Sequence, residues 1–160
     1  MLCSSVHPEI GIIARIPLLV AQVAGTPGVT LHKQGILSTA ALAREESTAP
    51  FTTLALSMAE NNATWLDILK IDVEGAEWEV FMEYFDMKTP LPFTQVLVEV
   101  HTDATSRISS NKHDVLTRFF RGMGDAGYRI FSVEPNYLNA HDCLEFSFVK
   151  VDGRGYFVRE

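Results

Sequence analysis

The length, composition and charge of the chain already narrow its class. It has 160 residues, of which 47% are hydrophobic and 21% are charged, which predicts one folded domain and excludes disorder, collagen and coiled coil. Acidic residues number 20 against 13 basic residues, so the net charge is −7 at pH 7. Because an acidic surface repels phosphate groups, we expect no nucleic-acid partner.

Cysteine content and hydropathy bear on the compartment. Cys3 and Cys143 are too few for a disulfide framework or a four-thiolate zinc site, so we predict thiols in a reducing compartment, with the cytoplasm favoured. The most apolar early stretch, residues 10–24, contains Arg15 and Pro17 and is too short to span a bilayer. We therefore expect no membrane span.

The N-terminal part of the chain carries weak structural signals. Residues 1–28 form a poorly defined segment, in which residues 8–24 have the composition of a helix that Pro17 would kink or break. The next predicted elements are a strand over residues 29–37, a loop over residues 38–50 and a short helix over residues 53–61.

The middle of the chain has a clear strand–helix–strand pattern. Residues 66–73 are rich in aliphatic side chains, which predicts a strand. Residues 76–85 place large apolar side chains at i, i+3, i+4 and i+7, which predicts a helix, and residues 95–101 predict a second strand. A strand, helix and strand within about forty residues indicate a right-handed crossover in a parallel sheet.

The remaining elements complete an α/β sheet. Residues 113–121 have helical spacing, and residues 128–134 and 144–151 predict strands with a loop over residues 135–142 between them. That loop is not helical, so these two strands are expected to be antiparallel. The predicted fold is a three-layer α/β sheet with a parallel centre and an antiparallel C-terminal hairpin.

A glycine-rich segment, residues 122–127, matches the pattern GxGxxG. The dinucleotide-binding fingerprint follows a strand and begins a helix, whereas this segment follows a predicted helix and precedes a predicted strand. We therefore interpret these glycines as the end of the helix.

Ionisable residues end the two central strands, where open parallel sheets bind ligands. If the strand ends are level, Lys70 lies beside Glu99 and Asp72 lies beside His101. We predict that Lys70 and Glu99 form a supporting ion pair, and that Asp72 and His101 form a site at the rim of the sheet. His101 is either a general base or a polar rim histidine.

Further acids follow the first of these strands. Glu74 and Glu77 could join Asp72 in a metal cluster, because divalent cations bind carboxylate oxygens. The favoured interpretation is that they are acids at a helix start, stabilised by the helix dipole, so no metal is predicted. Gly75 is expected to allow a tight turn from strand to helix.

Residues 66–77, LDILKIDVEGAE, resemble the signature of FkbM-type methyltransferases and related methyltransferase-like proteins. The resemblance implies a Rossmann-like class I fold and S-adenosylmethionine-dependent methyl transfer to an oxygen or nitrogen acceptor, of small-molecule or glycan type. It implies that Asp72 orients the cofactor or the acceptor and that His101 is the catalytic base. Glu74 and Gly75 would join Asp72 in cofactor binding.

The resemblance extends over residues 29–151. Residues 29–37 would then be the third strand of the family, residues 95–101 the fifth, and the C-terminal hairpin the sixth and seventh. The family has a glycine-rich cofactor loop after its first strand and a ribose-binding acid after its second, and neither is visible before Val29. The chain is therefore expected to be one truncated domain over residues 1–160 that lacks the first strands.

Loss of the first strand would expose an inner sheet edge beside the strand that carries Asp72. Such an edge pairs readily with another chain, so self-association is expected. Without the glycine-rich loop the chain could be inactive, so a non-catalytic α/β remnant or interaction module is the alternative to an enzyme. A nucleotide-binding Rossmann protein of another chemistry is a third, weaker interpretation.

Overall fold

The structure, a computed structural model, describes residues 2–3, 10–12, 27, 29–32, 34–46, 48–73, 75–102, 112–136 and 143–158. Its strands are β1 (Leu2–Cys3), β2 (Ile10–Ile12), β3 (Val29–Leu31), β4 (Gly35–Ile36), β5 (Phe51–Thr52), β6 (Leu66–Ile71), β7 (Phe93–His101), β8 (Tyr128–Pro135) and β9 (Cys143–Lys150). Its helices are α1 (Thr39–Leu42), α2 (Leu54–Glu60), α3 (Glu77–Asp86) and α4 (Lys112–Asp125).

Most of the described strands form one sheet in the order β3-β2-β1-β6-β7-β9-β8. The central strands β6 and β7 are parallel, with α3 between them in sequence, whereas β9 is antiparallel to both β7 and β8. This confirms the predicted parallel centre and antiparallel C-terminal hairpin. Because β6 and β7 run the same way, their carboxyl ends meet at one edge of the sheet.

Three short strands complete the side of the sheet where the sequence shows no recognisable first strands. β1 pairs antiparallel with β6, with Leu2 opposite Leu69 and Cys3 opposite Ile68. β2 pairs antiparallel with β1 and parallel with β3. Since backbone N–H and C=O groups at an edge need partners, even a two-residue strand is stabilised there. The expected open edge beside β6 is therefore partly closed.

Two predictions for the N-terminal half are wrong. The strand expected over residues 29–37 is divided between β3 in the main sheet and β4, which pairs parallel with β5 in a separate two-stranded sheet. The loop expected over residues 38–50 contains α1, because the Ser38 side chain caps this helix by accepting a hydrogen bond from the Ala41 N–H. The helix predicted over residues 8–24 falls mainly outside the described residues, and its described part is β2.

The helices α2, α3 and α4 share one hydrophobic core with the sheet. Phe119 of α4 is fully buried, with its ring centroid 5.5 Å from Trp78, 5.3 Å from Phe81 and 5.9 Å from Phe148. This confirms the apolar faces predicted from helical spacing. No described helix combines the length and apolar character that a membrane crossing requires.

The glycine-rich segment covers the end of helix α4 and the turn before strand β8, so a helix precedes it and a strand follows it, as predicted. Only Gly127, with φ of +89°, has the left-handed backbone conformation that follows a helix end. Gly122 and Gly124 lie inside α4, so the expectation that they end the helix is wrong. A glycine is needed at position 122, because a Cβ there would lie 2.5 Å from the Phe85 ring of α3.

Candidate active site

The carboxyl ends of β6 and β7 are not level. Ile71, the last residue of β6, pairs with Val98, and Lys70 pairs with Leu97, so β7 continues to His101 beyond the end of β6. The level register expected from the sequence is therefore wrong by two residues. β7 extends past the end of β6 because it has a second partner, β9, which pairs with it as far as His101.

The lysine on β6 contacts an acid that sequence reasoning did not single out. Lys70 Nζ donates a hydrogen bond of 2.7 Å to Glu145 Oε2 of β9. Glu145 lies opposite Glu99 in the β7–β9 register. Glu99 is buried, and its Oε1 accepts a 2.8 Å hydrogen bond from Asn136 Nδ2. The supporting roles of Lys70 and Glu99 stay predictions.

Asp72 and His101 lie close together, as their shared site requires. His101 Nε2 is 3.7 Å from Asp72 Oδ1. The two side chains differ in environment, because that of His101 is 7% exposed and that of Asp72 is 38% exposed. The site therefore joins a buried imidazole to a carboxylate that a ligand can reach. The catalytic roles assigned to these residues stay predictions.

A third residue, Glu77, holds the histidine. Its side chain is completely buried at the first residue of α3. Glu77 Oε1 accepts hydrogen bonds from the backbone N–H of His101 at 2.9 Å and from Nδ1 at 2.8 Å, and Oε2 accepts one from Gly75 N at 2.9 Å. A buried carboxylate loses its hydration, and these donors replace it.

Glu77 does lie at a helix start, as the sequence predicted, but it also has a specific partner that this interpretation did not include. The signal that could have revealed it is its position on the helix. Glu77 lies three and four residues before Val80 and Phe81, which are both buried, so it shares their face of α3. An acid on an apolar face needs a specific partner, which here is His101.

The contact with Glu77 selects one tautomer of His101. A carboxylate can only accept, so Nδ1 carries the hydrogen and Nε2 of the neutral ring keeps its lone pair on the side of Asp72. The backbone of His101 is held as well, because Trp78 Nε1 donates a 2.8 Å hydrogen bond to its carbonyl oxygen. An imidazole oriented in this way can accept a proton at Nε2 while Glu77 stabilises the resulting imidazolium.

The structure places the three residues that were predicted to bind a cofactor in different situations. Glu74 lies outside the described residues. Gly75 has φ of +95°, which confirms the tight turn, but its N–H is engaged by Glu77. Asp72 presents an accessible carboxylate. Of the described members of this set, Asp72 is thus the one placed to contact a ligand.

One further group of residues at His101 was not predicted from the sequence. Glu99, His101 and Cys143 each offer one metal-ligating atom, and these atoms lie within 4.8 Å of one another. Cys143 is far from the others along the chain, but it is the antiparallel partner of His101. Only the pairing of β7 with β9 brings the thiol to this site.

The comparisons with known proteins concern family and fold. Residues 30–150 match the model of a protein family described as a methyltransferase domain. Among solved structures, a fibrillarin pre-rRNA processing protein of Methanococcus jannaschii is similar at a TM-score of 0.47 and 10% identity, over 89% of this chain and 66% of that one. The chain thus spans just under two thirds of that structure, and a similarity of this extent carries no information on substrate. No curated protein matches the chain.

Proposed function

Since the chain belongs to the methyltransferase-domain family, we propose that it transfers a methyl group from S-adenosylmethionine to an oxygen or nitrogen acceptor. The observation that carries the catalytic part of this proposal is the Glu77–His101 pair at the carboxyl end of β7. It supports the assignment of His101 as a general base, which the sequence left open. The FkbM type within the methyltransferases is part of the same proposal.

The described residues fit S-adenosylmethionine through Asp72. Bound at the end of β6, the cofactor would supply an electrophilic methyl group on a sulfonium. The accessible Asp72 carboxylate can accept hydrogen bonds from hydroxyl or amino groups of the cofactor or the acceptor. The N–H of Gly75 donates to Glu77 and so does not contribute a hydrogen bond to the cofactor. The contribution of Gly75 is the turn that follows Asp72.

His101 would take the proton that the acceptor loses. With the cofactor bound as methyl donor, the acceptor oxygen or nitrogen would release its proton to Nε2 as it is methylated. Glu77 keeps the ring in the correct tautomer and stabilises the positive charge on it, together with the Asp72 carboxylate 3.7 Å away. Holding the base in this geometry before the reaction lowers the cost of ordering it later.

The charge at the site bears on the acceptor. Asp72, Glu77 and Glu99 are carboxylates of the described residues at or beside His101. They disfavour a phosphorylated acceptor and favour a neutral hydroxyl or a cationic amine. A small-molecule or glycan hydroxyl satisfies this requirement.

The alternative, a non-catalytic α/β module, is favoured by the direction of β1. Because β1 is antiparallel to β6, its carboxyl end points away from the sheet edge that carries Asp72. A loop leaving β1 therefore starts at the opposite edge and not at the site. A cofactor site of this chain must consequently be built from other segments.

Calorimetric titration of the full chain with S-adenosylmethionine separates the two functions. Binding near one-to-one stoichiometry supports the methyltransferase, and the absence of binding supports the module. With a pool of small-molecule and glycan acceptors, S-adenosylhomocysteine release by His101→Asn should fall at least about 100-fold while cofactor binding is retained. The matched control is His113→Asn, because His113 is exposed on α4. Equal loss in both variants would refute the role of His101.

A further inference from the structure

Three buried residues of different chemistry converge where β7 and β9 end. Glu99 and His101 lie two residues apart on β7, and Cys143 pairs with His101 from β9. All three are buried, and one ligand atom from each lies within 4.8 Å of the others. Carboxylate, imidazole and thiolate are the ligands that zinc takes in proteins. Ligand atoms around one such ion are about 3.5 Å apart. Side-chain rotation must therefore bring the three ligand atoms about 1 Å closer to one another.

The surroundings orient these ligands. Nδ1 of His101 already donates to Glu77 at 2.8 Å, so the ring nitrogen that remains for coordination is Nε2. Histidines that bind metals usually donate their other N–H to a carboxylate or carbonyl, which fixes the ring. Glu99 is held in the same way, because Asn136 Nδ2 donates to its Oε1 at 2.8 Å. Two independent contacts thus position the side chains that would bind an ion.

The negative charge around Glu99, His101 and Cys143 also favours binding of a cation. Glu77 and Glu99 are buried acids, and Asp72 lies 3.7 Å from His101 Nε2. A divalent ion would offset the repulsion among carboxylates that share a region of low dielectric constant.

We propose that Glu99, His101 and Cys143 bind one divalent transition-metal ion of the zinc class, with water as the fourth ligand. The thiol and the imidazole select zinc, cobalt and similar ions over magnesium or calcium. On binding, the Cys143 thiol loses its proton to solvent and its sulfur bonds to the ion. The ion also occupies the lone pair of His101 Nε2, so metal-loaded protein cannot use His101 as a base.

Binding of the ion does not depend on methyl transfer. Only the inhibitory consequence, in which the ion blocks His101, rests on the proposed function. The two can therefore be tested separately, by spectroscopy of the metal alone and by cofactor binding and turnover.

Titration of the full chain with Co²⁺ tests the site, because cobalt bonded to a thiolate gives a charge-transfer absorption band. We expect one-to-one binding with this band and its loss when Zn²⁺ is added. Cys143→Ser should abolish the band and weaken Co²⁺ binding at least tenfold. Glu77→Gln should retain the band but weaken binding about 10- to 100-fold, because it disturbs the orientation of His101. Cys3→Ser is the matched control and should change neither.

Two results would overturn the proposal: absence of a thiolate band in the unmodified chain, or a band that disappears in Cys3→Ser and persists in Cys143→Ser. Far-ultraviolet circular dichroism checks that each variant is folded, and the band of the unmodified chain decides the question if Cys143→Ser does not fold. Cobalt binding without S-adenosylmethionine binding would refute the proposed function but not the metal site. Cofactor turnover that Zn²⁺ does not inhibit would refute the regulatory consequence.

Discussion

At the scale of single residues, Glu77 and His101 depend on each other. Without His101, Glu77 would lose its Nδ1–H donor in a position that water does not reach, and without Glu77 the tautomer of His101 would no longer be set. This mutual dependence explains why both can be buried at the edge of the sheet. It also makes Glu77 a positioning residue, because it acts on the chemistry through His101.

Tyr128 leads to a prediction about pH. Its hydroxyl is buried and donates a hydrogen bond to the Phe93 carbonyl oxygen, and burial raises the pKa of this phenol above its usual value of 10.0. The folded state therefore holds the proton more tightly than the unfolded chain does. This stabilisation is fully present below pH 10.0 and is lost as pH rises toward the folded pKa. We expect the free energy of unfolding to fall with pH above that value.

Urea denaturation at neutral and at alkaline pH measures this effect. Tyr128→Phe should reduce the alkaline loss of stability, at a cost at neutral pH of about 1 kcal/mol for the missing hydrogen bond. Some alkaline loss of stability should remain in this variant. The pKa of Tyr84 is raised as well, mainly by burial and to a lesser extent by the neighbouring Glu83. Tyr156→Phe is the control, since Tyr156 is exposed. An unchanged alkaline slope in Tyr128→Phe would contradict the prediction.

At the scale of elements, packing of α3 against α4 depends on Gly122. A Cβ at this position would lie 2.5 Å from Phe85 Cδ2, so Gly122→Ala forces the Phe85 ring to move. We expect a loss of about 1–3 kcal/mol of stability from this overpacking. Thermal or urea denaturation measures the change.

The same helix supplies the control for this prediction. Among the described residues, no atom lies within 4 Å of a Cβ built at Gly124. Gly124→Ala should therefore gain up to about 1 kcal/mol from helix propensity alone. If Gly122→Ala stabilised the protein as much as Gly124→Ala, the close approach of the two helices would be refuted.

Elements with strong periodicity were predictable from the sequence, and short ones were not. The spacing of apolar residues in α3 and α4 and the aliphatic run of β6 are local signals. β1 and β2 have two and three residues and are strands because a neighbouring edge offers hydrogen bonds. Such pairing depends on the rest of the sheet, so no local pattern marks it. The same holds for the division of residues 29–37 between two sheets.

At the scale of the whole molecule, self-association stays a prediction, and β8 is the surface that now supports it best. This strand ends the sheet order and exposes Phe131 by 56% and Val133 by 51%. Arg129 and Glu134, both exposed, also place opposite charges on this edge strand. Backbone hydrogen bonds, apolar contacts and opposite charges therefore all suit a second copy of this chain.

Sedimentation velocity over a range of concentrations tests this association. Val133→Lys should shift the protein toward monomer, because a charge on an edge strand opposes pairing. Leu56→Lys is the matched control, since Leu56 on α2 is exposed to the same 51% as Val133. An unmodified chain that is monomeric throughout, or an equal shift in both variants, would rule out association through β8.

The amino-acid sequence by itself determined the parallel centre, the C-terminal hairpin and the placing of Asp72 and His101 at one edge of the sheet, because local periodicity and the rule for strand ends suffice for these. Only the tertiary structure decided the register of β6 and β7, the contact of Lys70 with Glu145 and the approach of Cys143 to His101. The last two depend on which strand β9 joins, and hydrogen bonds between distant segments cannot be predicted from a local sequence pattern. The face of α3 that carries Glu77 could be predicted from the spacing of its apolar residues, whereas the contact of Glu77 with His101 depends on the packing of α3 against the end of β7.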